Sequence, residues 1–120
     1  MKAHRQFPFL IVSLHPAIDR TIEIPELRRT PLLRGRLLRV EAGGKAVNLA
    51  HSLSNLGHSL RATGFLSAWD ANFFLNSFST RVKSDFVTVQ SLTRENLTLI
   101  ERQTGKDIHI LSGRLVVRGF

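Results

Sequence analysis

The chain has 120 residues, 42% hydrophobic and 22% charged, enough for one domain with a core. It has no cysteine, which excludes a disulfide framework and any thiolate metal site. A net charge of +8 raises nucleic acid or an anionic membrane as partners, but the densest basic stretch, "RRTPLLRGRLLR" at 28–39, interleaves no aromatic residue, so a solvated arginine-rich surface is the plainer reading.

In chain order, "FLIVSL" at 9–14 is too short to span a membrane and lacks a signal-peptide cleavage pattern. Its continuous apolar run predicts a strand buried on both faces, and the protein is expected to be cytoplasmic. Pro16 in "HPAID" ends that strand. "RTIEIP" at 20–25 and "GRLLRVE" at 35–41 alternate polar and apolar, as strands with one wet face do. After Gly43 and Gly44, the residues Ala46, Leu49, Ala50, Leu53 and Leu56 recur at three and four, one face of a helix, with Gly57 at its C-cap. "RATGFL" at 61–66 is a strand, "DANFFLNSFSTR" at 70–81 a helix with Asp70 as N-cap, and "DFVTV" at 85–89 a strand. "NLTLIERQTGKDIHIL" at 96–111 alternates on both sides of Thr104–Gly105, a hairpin. Strand–helix alternation predicts an α/β core with a parallel sheet, residues 1–120 forming one unit. The wet strands do not fit between core helices and are expected to form a small projecting sheet.

The chemistry concentrates in "EAGGKAVNLAHSLSNLG" at 41–57. A helix N-terminus presents free N–H groups and partial positive charge, which suits an anion or a set of hydroxyl oxygens. Gly43 and Gly44 let a ligand approach the backbone, Lys45 adds a cation, and Asn48 offers both a donor and an acceptor. On spacing alone, a glycine turn followed by a solvated lysine and a capping asparagine explains the stretch equally well.

"SLHPAIDRT", "AGGKAVNLAHSLSNLG" and "TRENLTLIE", in this order, resemble the N-terminal part of the ribokinase-like (PfkB) carbohydrate kinases. The resemblance is to the branch of 1-phosphofructokinase, tagatose-6-phosphate kinase and the minor 6-phosphofructokinase, and Gly43, Gly44, Asn48, Ala50 and Gly57 fit its first signature. It implies the N-terminal part of a parallel-sheet α/β core with a β-sheet lid, its strands near 20–41 and 96–112. It implies that Asp19 binds sugar hydroxyls, that Gly43, Gly44, Lys45 and Asn48 contact substrate, and that Arg94 holds the substrate's phosphate, with His109 as a further basic contact. The implied partners are a phosphorylated sugar and a second copy joined through the lid strands, with neither membrane nor nucleic acid involved. ATP and Mg2+ are implied for the whole kinase. The family's G-A-G-D segment, with its catalytic aspartate and the nucleotide site, belongs to a second half absent from this sequence. No catalytic residue and no tight cofactor binding are therefore expected of the chain, which reads as a truncated N-terminal portion. It departs from the pattern at His15 and at Ser67, Ala68 and Ala71, where the family has glycines, so a non-catalytic sugar-phosphate-binding or dimerisation module stays open beside the kinase reading. A basic nucleic-acid-binding protein is the third alternative.

Overall fold

The structure, a computed structural model, describes residues 7–119. Nine elements follow in the order anticipated: β1 (Phe9–Ser13), β2 (Ala17–Ile24), β3 (Arg36–Gly43), α1 (Lys45–Asn55), β4 (Leu60–Ser67), α2 (Ala71–Ser77), β5 (Val82–Val89), β6 (Arg94–Glu101) and β7 (Asp107–Ser112). Three of them, in the order β1-β4-β5, make an all-parallel sheet; the other four, β3-β2-β6-β7, make a second, mixed sheet. In the second sheet β2 and β6 run parallel, flanked by antiparallel β3 and β7. This is a partial α/β arrangement: a parallel core sheet with a second sheet beside it.

Helix α1 packs on β1, β3 and β4, and α2 on β3 and β4. Beneath α1, Ala50 meets Leu60, Ala62 and Val82. A second cluster of Ile18, Ala42, Val47, Leu66 and Phe74 joins both sheets to both helices. It lies where β2 leaves the core and β3 returns to it. Gly57, at φ 95°, closes α1: its N–H reaches Ser54 O at 3.0 Å and that of His58 reaches Leu53 O at 3.1 Å, the paired bonds of a Schellman end.

Three expectations need correction. β1 is not buried on both faces: Leu10 is 63% and Val12 50% exposed, because both helices lie on one side of the sheet and, among the described residues, the other is approached by the end of the chain at 116–119, near Phe65 and Val87. The buried line of α1 is Val47, Ala50 and Ser54, whereas Leu49 and Leu56 point outward. Small residues there let the helix sit close to β1 and β4, rotating the leucines away. Asp70 occupies the N-cap position of α2 but makes no side-chain cap; its Oδ2 instead accepts the Thr93 hydroxyl at 2.6 Å. Among the described residues no helix is long and apolar enough to cross a membrane.

Candidate functional site

Alternation along the paired strands gives the second sheet two unlike faces. Register aligns Asp19 with Glu41 on one side and Asn96 on the other, and Thr98 with His109. These polar side chains, with Thr21, line an open groove of about 580 Å³, closed on the β3 side by the Arg39–Glu41 ion pair at 2.9 Å. The opposite face carries Leu97, Leu99, Ile108 and Ile110 in facing pairs.

At the inner end of the groove, Asp19 Oδ1 accepts the Asn96 Nδ2 amide at 2.9 Å. The carboxylate lies directly over the α-carbon of Gly43: a Cβ there would come within 2.8 Å of Asp19 Cγ. Gly44 follows at φ 98°, and a Cβ on it would meet His15 O at 3.1 Å and Pro16 Cα at 3.2 Å. The glycine pair thus seats the start of α1 against both Asp19 and the β1–β2 turn. No side chain caps α1, and no acidic residue sits in its first turn. Its leading N–H groups and the exposed Lys45 present positive potential there.

Arg94, the first residue of β6, pairs in register with Ala17 and donates from Nη2 to His15 O at 2.9 Å. Its buried Nε has no partner. Burial, and then the Arg94 charge, push the pKa of the His15 imidazole below its usual value, so the ring favours the neutral form. In β7, His109 Nδ1 lies 3.0 Å from Thr98 Oγ1, and its Nε2 lies 3.7 Å from Asp107 Oδ2.

No family model matches the chain. Curated relatives and solved structures do. A 1-phosphofructokinase of Xanthomonas campestris pv. campestris is 35% identical over 102 residues, 84% of this chain and 32% of that protein. The structure of a possible 1-phosphofructokinase from Thermotoga maritima superposes at a TM-score of 0.75 with 31% identity, covering 90% of this chain and 36% of that one. Phosphofructokinase-2 of Escherichia coli, solved with potassium, superposes at 0.81 with 19% identity over 93% of this chain and 37% of that one, a likeness of fold. That enzyme has also been solved with fructose-6-phosphate and in a tetrameric inhibited form.

The chain is PfkB-like, corresponding to the N-terminal portion of the ribokinase-like carbohydrate kinases. It spans about a third of the length of these relatives. Within the PfkB-like portion, the residues expected at the sugar site fall into three neighbourhoods. Asp19 and His109 share the groove, with Gly43 directly beneath Asp19. Gly44 and Arg94 meet around His15, and Lys45 starts α1 beside them. Asn48 instead lines a separate recess with His51 and Ser77, on the side of β3 that faces the helices; Glu41 borders both cavities.

Sequence reasoning passed over Asn96, Thr98, Thr21 and the Arg39–Glu41 pair. The signal was present for two of them: Arg94, Asn96 and Thr98 are polar at every second residue, one face of a strand. Of the departures from the family pattern, Ser67 is fully buried and its Oγ accepts the Trp69 N–H at 3.2 Å, so the hydroxyl is satisfied. No non-glycine residue has a positive φ among the described residues, so serine and alanine at 67, 68 and 71 bring no backbone strain.

Proposed function

We propose that the groove takes the acceptor sugar of a PfkB-type kinase, a phosphorylated ketohexose of the fructose class. The observation that carries this reading is the Asp19 carboxylate, held between the Asn96 amide and the α-carbon of Gly43 at the start of α1. A carboxylate fixed there accepts hydrogen bonds from sugar hydroxyls. Arg94, anchored through Nη2 to His15 O, is the cation for a phosphate carried by the sugar. Lys45 and the uncapped N-terminus add positive potential, and His109 supplies a further polar contact from the groove wall, whereas Asn48, in its separate recess, is left out of this reading. The four-stranded sheet serves as the lid over the sugar. Its apolar reverse face, where Leu37 is 53% and Ile108 45% exposed, pairs with a second copy.

In the whole kinase, acting in the cytoplasm, ATP with magnesium supplies the transferable phosphoryl group. Among the described residues no three His, Cys, Asp or Glu side chains gather to hold a metal ion. This chain's own part is to bind and orient the acceptor.

Calorimetric titration with fructose 6-phosphate and with fructose tests the reading. Arg94→Ala should weaken the phosphorylated sugar by about 1.5–3 kcal/mol, the usual worth of hydrogen bonds to a charged group, and leave fructose nearly unchanged. Asp19→Asn should weaken both alike. Equal losses on both sugars for Arg94→Ala would remove Arg94 from the phosphate site.

A further inference from the structure

Resting on the sugar-binding reading, we propose that Asn96 is the positioning residue of Asp19: its amide holds the carboxylate in the one orientation from which it can serve the sugar. Two constraints act on Asp19 from opposite sides. Asn96 Nδ2 donates to Oδ1 at 2.9 Å, and the bare α-carbon of Gly43 lies under the carboxylate. The strands make the first constraint stiff, because Asp19 and Asn96 are register partners in the parallel β2–β6 pair. An exposed aspartate otherwise samples three staggered positions about its first torsion; here the amide selects the one that commits Oδ1 to Asn96 and leaves Oδ2 without a hydrogen-bond partner among the described residues.

The amide is not explained by packing. Asn96 Oδ1 is buried without any partner, an arrangement that disfavours the fold. An apolar side chain of similar volume would fill the position and bury no orphan oxygen. Among the described residues, the compensating contact of the Asn96 side chain is the bond to Asp19. The same strand carries the orphan Arg94 Nε two residues earlier, so β6 presents two uncompensated polar atoms along the face that lines the site. Unsatisfied polar groups gathered at one place mark a site where binding geometry has overridden stability.

The test uses the full chain with Asn96→Leu, and Asn96→Val as a smaller second variant should leucine not fold. The first readout needs no ligand. Scalar couplings of the Asp19 β-methylene should report one rotamer in the parent and an average in the variants, with backbone shifts outside β2 and β6 unchanged. A single Asp19 rotamer retained in the variants would overturn the proposal. The second readout is a cycle on fructose 6-phosphate binding. Asn96→Leu should cost about tenfold when Asp19 is present and less than roughly twofold in an Asp19→Ala background, because nothing is then left to orient. Losses that simply add would mean that Asn96 acts independently of Asp19. Failure of the parent to bind fructose 6-phosphate would instead overturn the sugar-binding reading, and the coupling measurement would still decide the role of Asn96.

Discussion

Gly43 leaves no room for a side chain at the site. Its φ is unexceptional; what it contributes is the absence of a side chain beneath the Asp19 carboxylate. Gly43→Ala should push that carboxylate off the Asn96 amide and weaken fructose 6-phosphate binding by about tenfold or more, as loss of a charge-assisted contact does. A calorimetric affinity within twofold of the parent would contradict this. His51 offers a prediction of a different kind. Ser77 Oγ donates to Phe74 O at 2.6 Å, so the contact at 2.9 Å between Ser77 Oγ and His51 Nε2 has the ring nitrogen as donor. A second proton on this half-buried ring, 5.3 Å from the Phe78 ring, is disfavoured. Burial lowers the His51 pKa and the Glu41 charge only partly opposes it. The folded chain therefore binds the proton less readily than the unfolded chain, and stability is full above the ordinary histidine value of 6.5 and falls as pH drops through and below it. The urea midpoint should decrease between about pH 7.5 and about pH 5, and His51→Gln should flatten part of that slope, the remainder belonging to His15. An unchanged slope would show that His51 does not couple folding to pH. Asp19 and Arg94 stood out as candidates only because three sequence motifs stood in one order. Asn96 was missed because its role depends on a strand seventy-seven residues away in the chain.

Between the elements, the weakest attachment is that of α2, a helix of seven residues. Phe74, fully buried, is its main anchor in the junction cluster, with Ala71 packed partly against it, and Asp70 ties its start to Thr93 just before β6. Phe74→Ala should lower unfolding free energy by about 3–5 kcal/mol, the range for a buried aromatic cut to alanine. Thr93→Val should cost about 1–2 kcal/mol by leaving the Asp70 carboxylate without its hydroxyl. Denaturant titrations of both would check these values, and a Phe74→Ala loss under about 1 kcal/mol would mean that α2 is not held by that ring. The order of elements was legible throughout, because strand alternation and helical spacing are local signals. Which faces end up covered was not. The apolar run of β1 reads as buried twice over, yet cover depends on which side the helices take, and they take only one. In α1, leucine spacing marked a face, but close approach to the sheet selected the neighbouring line of Val47, Ala50 and Ser54.

Over the whole molecule, charge and apolar surface decide partners. Arg20, Arg36, Arg39 and Arg102 each pair with a glutamate, so much of the basic character of the second sheet is already internally neutralised. The reverse face of that sheet is the stronger candidate for association. Leu37→Lys together with Ile110→Lys should shift sedimentation toward monomer, whereas an unaltered profile would place any self-association elsewhere. The molecule is long and thin, 65 × 38 × 17 Å, and the second sheet joins the rest through Ile18 and Ala42 at one end of β2 and β3. A beam clamped at one end does not open uniformly. Amide hydrogen exchange should therefore form a gradient along β3 itself, slow at Ala42 and Gly43 and faster toward Arg36, with the turn at 102–106 fastest of all. The two ends of one continuous strand would keep different clocks, and Glu41, the register partner of Asp19, lies toward the slow one.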